Sequence, residues 1–264
     1  MLTEVKNQTR VTMMSVKYGL IKEMLNKTTF ITNILFMILN NASFIIQWLV
    51  LYSLKDNVGG YSFKEVLLLW GIASSTFGVS RFFFKKAFYL SDTINTGKLD
   101  SYLVQPKNVL ISCITSDVSP SAIGDLLYGI IALFIYGFTI PRFILFTLFA
   151  TTGGLILTAI AVILASLSFW FEKTEILADT GNSLMTNFAT YPDGIFKGFV
   201  KILLFTLFPV GIVNYIPVKV ITEFNIYLFL IIILVTTLLV TLAFVIFNKG
   251  LKRYSSSNLM IARM

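Results

Sequence analysis

Long apolar runs separated by short polar connectors dominate this chain. The runs begin near Phe30, Val66, Ile123, Phe143 and Ile226. A helix crosses a bilayer with about 20 mostly apolar residues, and each run reaches or approaches that length. The pattern predicts spans over roughly 29–54, 63–84, 121–140, 143–169 and 226–248. The connectors read as turns. Lys55 to Gly60 is short and polar, Lys85-Lys86 closes the second run, and Pro141-Arg142 parts the third from the fourth. The fold class expected is all-α, a polytopic membrane helical bundle.

Residues 1–28 break the apolar pattern. They carry Lys6, Arg10, Lys17, Lys22 and Lys27, while Met14, Tyr18, Ile21 and Leu25 recur at helical spacing from Val11 onward. That periodicity predicts an amphipathic helix lying along the membrane surface before the first span. Without an apolar core or a small-residue cleavage site, the segment does not read as a cleavable signal peptide. After the last run come Lys249, Lys252, Arg253 and Arg263, in a tail covering 249–264.

The region 170–222 supports two readings. A semi-polar stretch at 174–190 and an apolar one at 195–216, containing Pro209, both compete to cross the membrane. If both crossed, the basic C-terminus would face away from the basic N-terminus, against the positive-inside rule. One crossing is therefore expected, giving six helices with both termini inside. Charge alone slightly prefers 195–216, because that choice moves Lys197 and Lys201 to the inner side.

Composition agrees with the pattern: 56 % of residues are hydrophobic, 13 % are charged, and mean hydropathy is +0.82. The net charge of +8 would suit a nucleic-acid binder. Its placement beside the apolar runs points to membrane orientation instead, so no nucleic-acid partner is expected. The single cysteine, Cys113, excludes an intrachain disulfide and leaves the redox compartment open.

The absence of histidine removes the commonest general base and metal ligand. The chain holds no phosphate-binding G-x-x-x-x-G-K-[ST] loop, H-E-x-x-H or C-x-x-C motif. It also lacks a G-x-S-x-G turn. A non-catalytic membrane protein that moves a substrate is the expectation.

Several residues inside the runs stand out. Gly71, Ser74, Ser75 and Gly78 are small residues at helical spacing, suited to close helix packing. Glu175, Asp179, Asn182 and Thr186 share one face of a helix. If 174–190 spans, they must face the bundle interior or a water-filled path, since polar groups facing lipid cost several kcal/mol each; otherwise the segment is an ordinary loop helix. Asp125 sits one turn into the third span, either as a functional intramembrane carboxylate or as a charge stabilised near a helix N-terminus. Arg81 lies near the end of the second span, where it can snorkel to the surface or pair with Asp125. Tyr52, Tyr61, Trp70 and Tyr89 are placed as interfacial anchors.

Between the second and third spans, in the polar segment 85–120, stands Asn95-Thr96-Gly97-Lys98-Leu99-Asp100-Ser101-Tyr102-Leu103-Val104-Gln105-Pro106. Gly97 permits a turn, Pro106 ends a helix, and Leu99 and Leu103 give a short apolar face. This stretch resembles the G-x-L-D-x-x-L-x-x-P segment of type-2 ABC exporter permeases, the ABC-2 superfamily. The order Tyr191-Pro192-Asp193-Gly194, then Lys201, Phe208-Pro209 and Tyr215-Ile216-Pro217 is similar to that family's region before its last span. Phe169-Trp170 fits its small bacterial members without a fused ATPase.

The resemblance implies one six-helix half of a channel in a bacterial cell membrane, both termini cytoplasmic, preceded by an interfacial elbow helix. It favours 174–190 as the fifth span, with 195–216 as a re-entrant segment before the last. The half would pair with a second permease, identical or related. A separate nucleotide-binding ATPase would bind ATP and magnesium, with no cofactor in this chain. It would dock on a coupling element formed by Gly97, Lys98, Leu99, Asp100, Leu103 and Pro106, with Leu99 and Leu103 exposed. Asp179, Asn182, Thr186, Asp125 and Arg81 would line the path. An ion- or solute-coupled transporter or channel needing no ATPase is the alternative. The substrate class stays open among lipid, peptide, antibiotic and drug.

Overall fold

The computed structural model describes residues 2–171, 174–206 and 208–255. The tail from 256 on, with Arg263, lies outside them, as do Lys173 and the side chain of Glu175.

Helix α1 (Leu2–Met24) precedes α2 (Lys27–Tyr52), whose N-cap Asn26 accepts from the Thr29 amide at 3.1 Å. Met13, Met14, Tyr18, Ile21 and Leu25 are exposed in and just after α1, an uncovered apolar face of the kind a membrane surface covers. Helix α3 (Phe63–Phe84) begins where Glu65 accepts from both the amide and the hydroxyl of Ser62. A 3₁₀ turn over Lys85–Tyr89 leads into three short helices, α4 (Leu90–Asn95), α5 (Asp100–Leu103) and α6 (Val109–Ile114). Helices α7 (Ser121–Gly137) and α8 (Ile140–Ser166) follow, with Pro141 in the first turn of α8, where its missing N–H costs nothing. Next comes α9 (Glu175–Ala189). A broken stretch then holds α10 (Gly198–Leu203), a π turn at Gly211–Tyr215 and α11 (Ile216–Thr222). The last helix, α12 (Ile226–Leu251), is capped by Asn225.

Among the described residues, four helices are long and apolar enough to cross a membrane: Lys27–Tyr52, Phe63–Asn95, Ile140–Phe169 and Ile226–Leu251. Two shorter apolar helices, α7 and the stretch Gly211–Thr222, accompany them, and the more polar α9 lies against α8. α3 packs most extensively against α7, and small residues explain how. A Cβ on Gly71 would lie 2.8 Å from that of Ala132, and one on Gly129 would strike the Ser75 hydroxyl. Gly153 and Gly154 bring α8 equally close to Thr76 and Val79 of α3. Association in lipid depends on such contacts, since burial of apolar surface gives helices no net drive there.

Both described chain ends lie at one end of the bundle. The Gln8 side chain accepts from the Asn108 amide, and the Tyr254 ring meets Phe169 edge-on. Segment 85–120 caps that end as a compact unit. Its core contains Leu90, Ile94, Leu99, Leu110 and Cys113, packed with Ala159, Ala165 and Phe247. Lys85 fastens it by an ion pair to Asp117 at 2.9 Å and a hydrogen bond to the Val118 carbonyl.

The expected exposed leucine pair is corrected here. Leu99 is 0 % exposed, because the short helix folds down as a lid on its own core. The apolar surface left outside is Leu103 with Val104, at 41 % and 85 % exposure. Gly97 does make the expected turn, at φ 73°. Two expected interfacial anchors are also internal. Trp70 packs on Phe44, and Tyr61 is buried against Asp193.

The other end is closed by residues 190–225. The stretch 195–216 is no continuous helix. It dips inward until Val213 reaches the region of Gly153 and Thr76, midway along α8 and α3, then returns. At its turn, Asn214 Nδ2 and the Tyr215 hydroxyl donate to the Ala189 and Phe188 carbonyls at 3.0 and 2.9 Å. These are the C-terminal carbonyls that α9 leaves without helical partners, so the two segments complete each other.

Candidate functional site

Polar side chains within the bundle converge on one groove bounded by α2, α3, α7 and α9. Three adjoining cavities compose it. The first, about 210 Å³, lies toward the end carrying the termini and is lined by Arg81, Phe88, Tyr89, Asp179, Asn182 and Thr186. The second, about 350 Å³, shares Arg81 and Thr186 and adds Asn40, Asn41, Ser74 and Asp125. The third, about 340 Å³, shares Phe44, Trp70 and Tyr191 with the second and opens past Trp48 and Leu54 toward the opposite end. The groove therefore follows α2 over most of its length.

All five residues expected to line a path border this groove. Asp179, Asn182 and Thr186 sit on the face of α9 predicted from their spacing. Asp125 is 5 % exposed, inside the bundle and not at its surface. One of its carboxylate oxygens accepts from Asn41 Nδ2 at 2.8 Å, and its main-chain carbonyl accepts from the Ser74 hydroxyl at 3.2 Å. No ion pair joins it to Arg81. The Arg81 guanidinium instead lies 6.0 and 5.8 Å from the ring centres of Phe77 and Phe88, within cation–π range.

Sequence reasoning passed over Asn41, which anchors Asp125, and Asn40 beside it. Two adjacent asparagines in the middle of an apolar run were the available signal, because an amide facing lipid would go unsatisfied.

A second polar cluster stands where the groove meets the end opposite the termini. Asp193, 4 % exposed, accepts a hydrogen bond from the Tyr61 hydroxyl at 2.7 Å and pairs with Lys201 at 3.0 Å. Burial alone would raise its carboxyl pKa. The Tyr61 and Lys201 hydrogen bonds and the charges of Lys219 and Lys201 outweigh that and hold it below the usual carboxylate range. The same burial, with Asp193 as neighbour, pushes the Tyr61 phenol up, so it stays a neutral donor. Tyr52 donates to the Tyr61 carbonyl at 2.7 Å, and Gly59 and Gly194 meet backbone to backbone. The turn between α2 and α3 is thus tied to the start of the re-entrant stretch.

Segment Gly97–Pro106 is separate from the groove. Lys98 pairs with Asp92 at 3.2 Å, Asp100 is half-buried near the Tyr254 hydroxyl, and Pro106 is exposed. Among the described residues, no cluster of three His, Cys, Asp or Glu could hold a metal.

A helical bundle with apolar outer surfaces and its polar groups gathered along an internal groove is a multi-pass membrane protein. Residues 14–258 match the family model described as ABC-2 family transporter protein, and the chain belongs to that family, whose members are membrane permeases of ABC transporters. Neither the curated proteins nor the solved structures contain a match to it.

Proposed function

We propose that this chain is one permease half of an ATP-driven exporter, and that the α2–α9 groove is its half of the substrate path. The continuity of the groove carries this reading. It runs between the two ends of a bundle whose outside is apolar, and every side chain expected to line a path borders it. In this reading α2, α3, α7, α8, α9 and α12 each cross the membrane, the end carrying the termini is cytoplasmic, and α1 lies on that surface. The re-entrant stretch closes the outer end.

A separate ATPase would bind ATP and magnesium and dock on the cap formed by 85–120, with Leu103, Val104 and Pro106 outward. ATP must bind one arrangement of the complex better than the other to drive alternating access, since equal affinity shifts nothing. The cap suits that role because it packs directly on α8 and α12 as one unit. A second permease, identical or related, would cover the open side of the groove.

The test is reconstitution in proteoliposomes with and without a candidate ABC ATPase subunit from the same cell. Capture of that ATPase and ATP-dependent substrate movement are expected. Movement in vesicles lacking the ATPase or ATP would instead favour a channel or ion-coupled carrier and overturn the exporter reading.

A further inference from the structure

We propose that the groove takes an organic cation with an aromatic or apolar body, its charge held by Asp125 and its body against Phe44, Trp48, Trp70 and Tyr191. This deepens the permease reading and rests on it.

Asp125, 5 % exposed in all, borders the central cavity. Its only hydrogen-bonding side-chain partner among the described residues is the neutral amide of Asn41. A carboxylate withdrawn from water and left without an ion pair is costly, and a bound cation relieves that cost. Arg81, the one cation among the described residues on these cavities, borders the same cavity as Asp125 but forms no ion pair with it, its guanidinium lying by Phe77 and Phe88. Asp179, in the adjoining cavity, adds a second negative charge. Among the described residues, carboxylates therefore outnumber Arg81 along the groove.

On the opposite side of Asp125 the walls are aromatic. Phe44 and Trp70 lie 4.7 Å apart between ring centres, and Trp48 meets Tyr191 edge-on at 6.1 Å. Aromatic faces attract cations, and their area suits a flat or bulky apolar body. The two cavities that share Phe44 and Trp70 have volumes of about 340 and 350 Å³, within the range of sites for drug-sized molecules. The indole N–H of Trp70, buried and without a partner, is a spare donor at their junction.

Trp48 and Trp70 report on the site directly. In a Trp170→Phe background, with the full chain in nanodiscs, their fluorescence is titrated with tetraphenylphosphonium and with tetraphenylborate, ions of one shape and opposite charge. A saturable response to the cation alone is expected. Asp125→Asn should weaken it at least about tenfold, as for a desolvated charge pair that loses one partner. Arg81→Gln, at an exposed side chain, should tighten it, a gain that a merely structural role for these residues would not produce. Equal responses to the two ions, an unchanged affinity in folded Asp125→Asn, or weaker cation binding in Arg81→Gln would each overturn the inference. Should Asp125→Asn not fold, the sign of the Arg81→Gln effect decides. The permease reading fails separately, if vesicles carrying the chain without the ATPase take up tetraphenylphosphonium faster than protein-free vesicles. Transport that depends on the ATPase, without cation-selective binding, would sink only the inference.

Discussion

The tie between Asp193 and Tyr61 offers the sharpest test of how the re-entrant stretch is held. Asp193→Asn removes the charge but keeps an acceptor for the Tyr61 hydroxyl. A hydrogen bond to a charged group contributes roughly 1.5–3 kcal/mol and a neutral one about 1 kcal/mol. The Lys201 side chain is 44 % exposed, so its ion pair is discounted to the value of a surface pair, about 0–1 kcal/mol. Together these losses come to about 2 kcal/mol, roughly a 30-fold change in the local opening equilibrium. The reporters are the amides of Ile195 and Phe196, which donate to the Pro192 and Asp193 carbonyls inside the tied segment. Their hydrogen exchange should accelerate about 30-fold, while exchange in the middle of α8 stays unchanged. The pH dependence has a definite sign. The folded carboxyl titrates below its unfolded value, so its contribution is full above the ordinary carboxylate range and is lost as pH falls through the lower folded value. Protection of the two amides, corrected for intrinsic exchange, should be flat through neutrality and fall only in acid. Unchanged exchange in Asp193→Asn, or a loss of protection near neutral pH, would refute the tie.

Gly129→Ala places a methyl against Ser75 and should destabilise the α3–α7 pair by about 1–3 kcal/mol, read as a lower thermal midpoint in detergent, whereas Ile131→Ala on the exposed outer face should leave it nearly unchanged. Leu99→Ser should unfold the 85–120 cap, at a cost of about 2–5 kcal/mol, and show as new protease sites there. Leu103→Ser with Val104→Ser should keep the cap intact and weaken only capture of the ATPase; equal proteolysis of the two variants would contradict the burial of Leu99. Burial pushes the Cys113 thiol up to about 12, so maleimide at pH 7.5 should label it slowly in the folded protein and promptly in denaturant, and prompt labelling of the folded chain would contradict its position.

The spans at 29–54, 63–84, 143–169 and 226–248 were legible because a bilayer demands one property, sustained apolarity over a fixed length, and that property is local in sequence. The face of α9 was legible for a similar reason. Residues Asp179, Asn182 and Thr186 repeat with the helix period, whatever lies opposite them. The resemblance in 95–106 located the cap but misjudged its inside, since Leu99 and Leu103 are equally apolar and only their surroundings differ. Nothing local states that Leu99 would meet Leu90 and Leu110 while Leu103 and Val104 meet solvent.

By itself the sequence determined the class of this protein. It set the helix count within one ambiguous region, the amphipathic first helix, the small residues that let α3 and α7 touch, and the lack of histidine chemistry. Only the tertiary structure decided that 174–190 holds one unbroken helix while 195–216 is broken and folds back. It did so through Asn214 and Tyr215, whose hydrogen bonds return a broken segment to the end of α9. It also decided that Asp125 meets Asn41 and not Arg81, and that Tyr61 meets Asp193 across 132 positions. Periodicity and hydropathy are sums over neighbours in the chain. A partner far along the chain is chosen by how helices of given length, tilt and small-residue contact bring side chains together, and that is a property of the packed bundle alone.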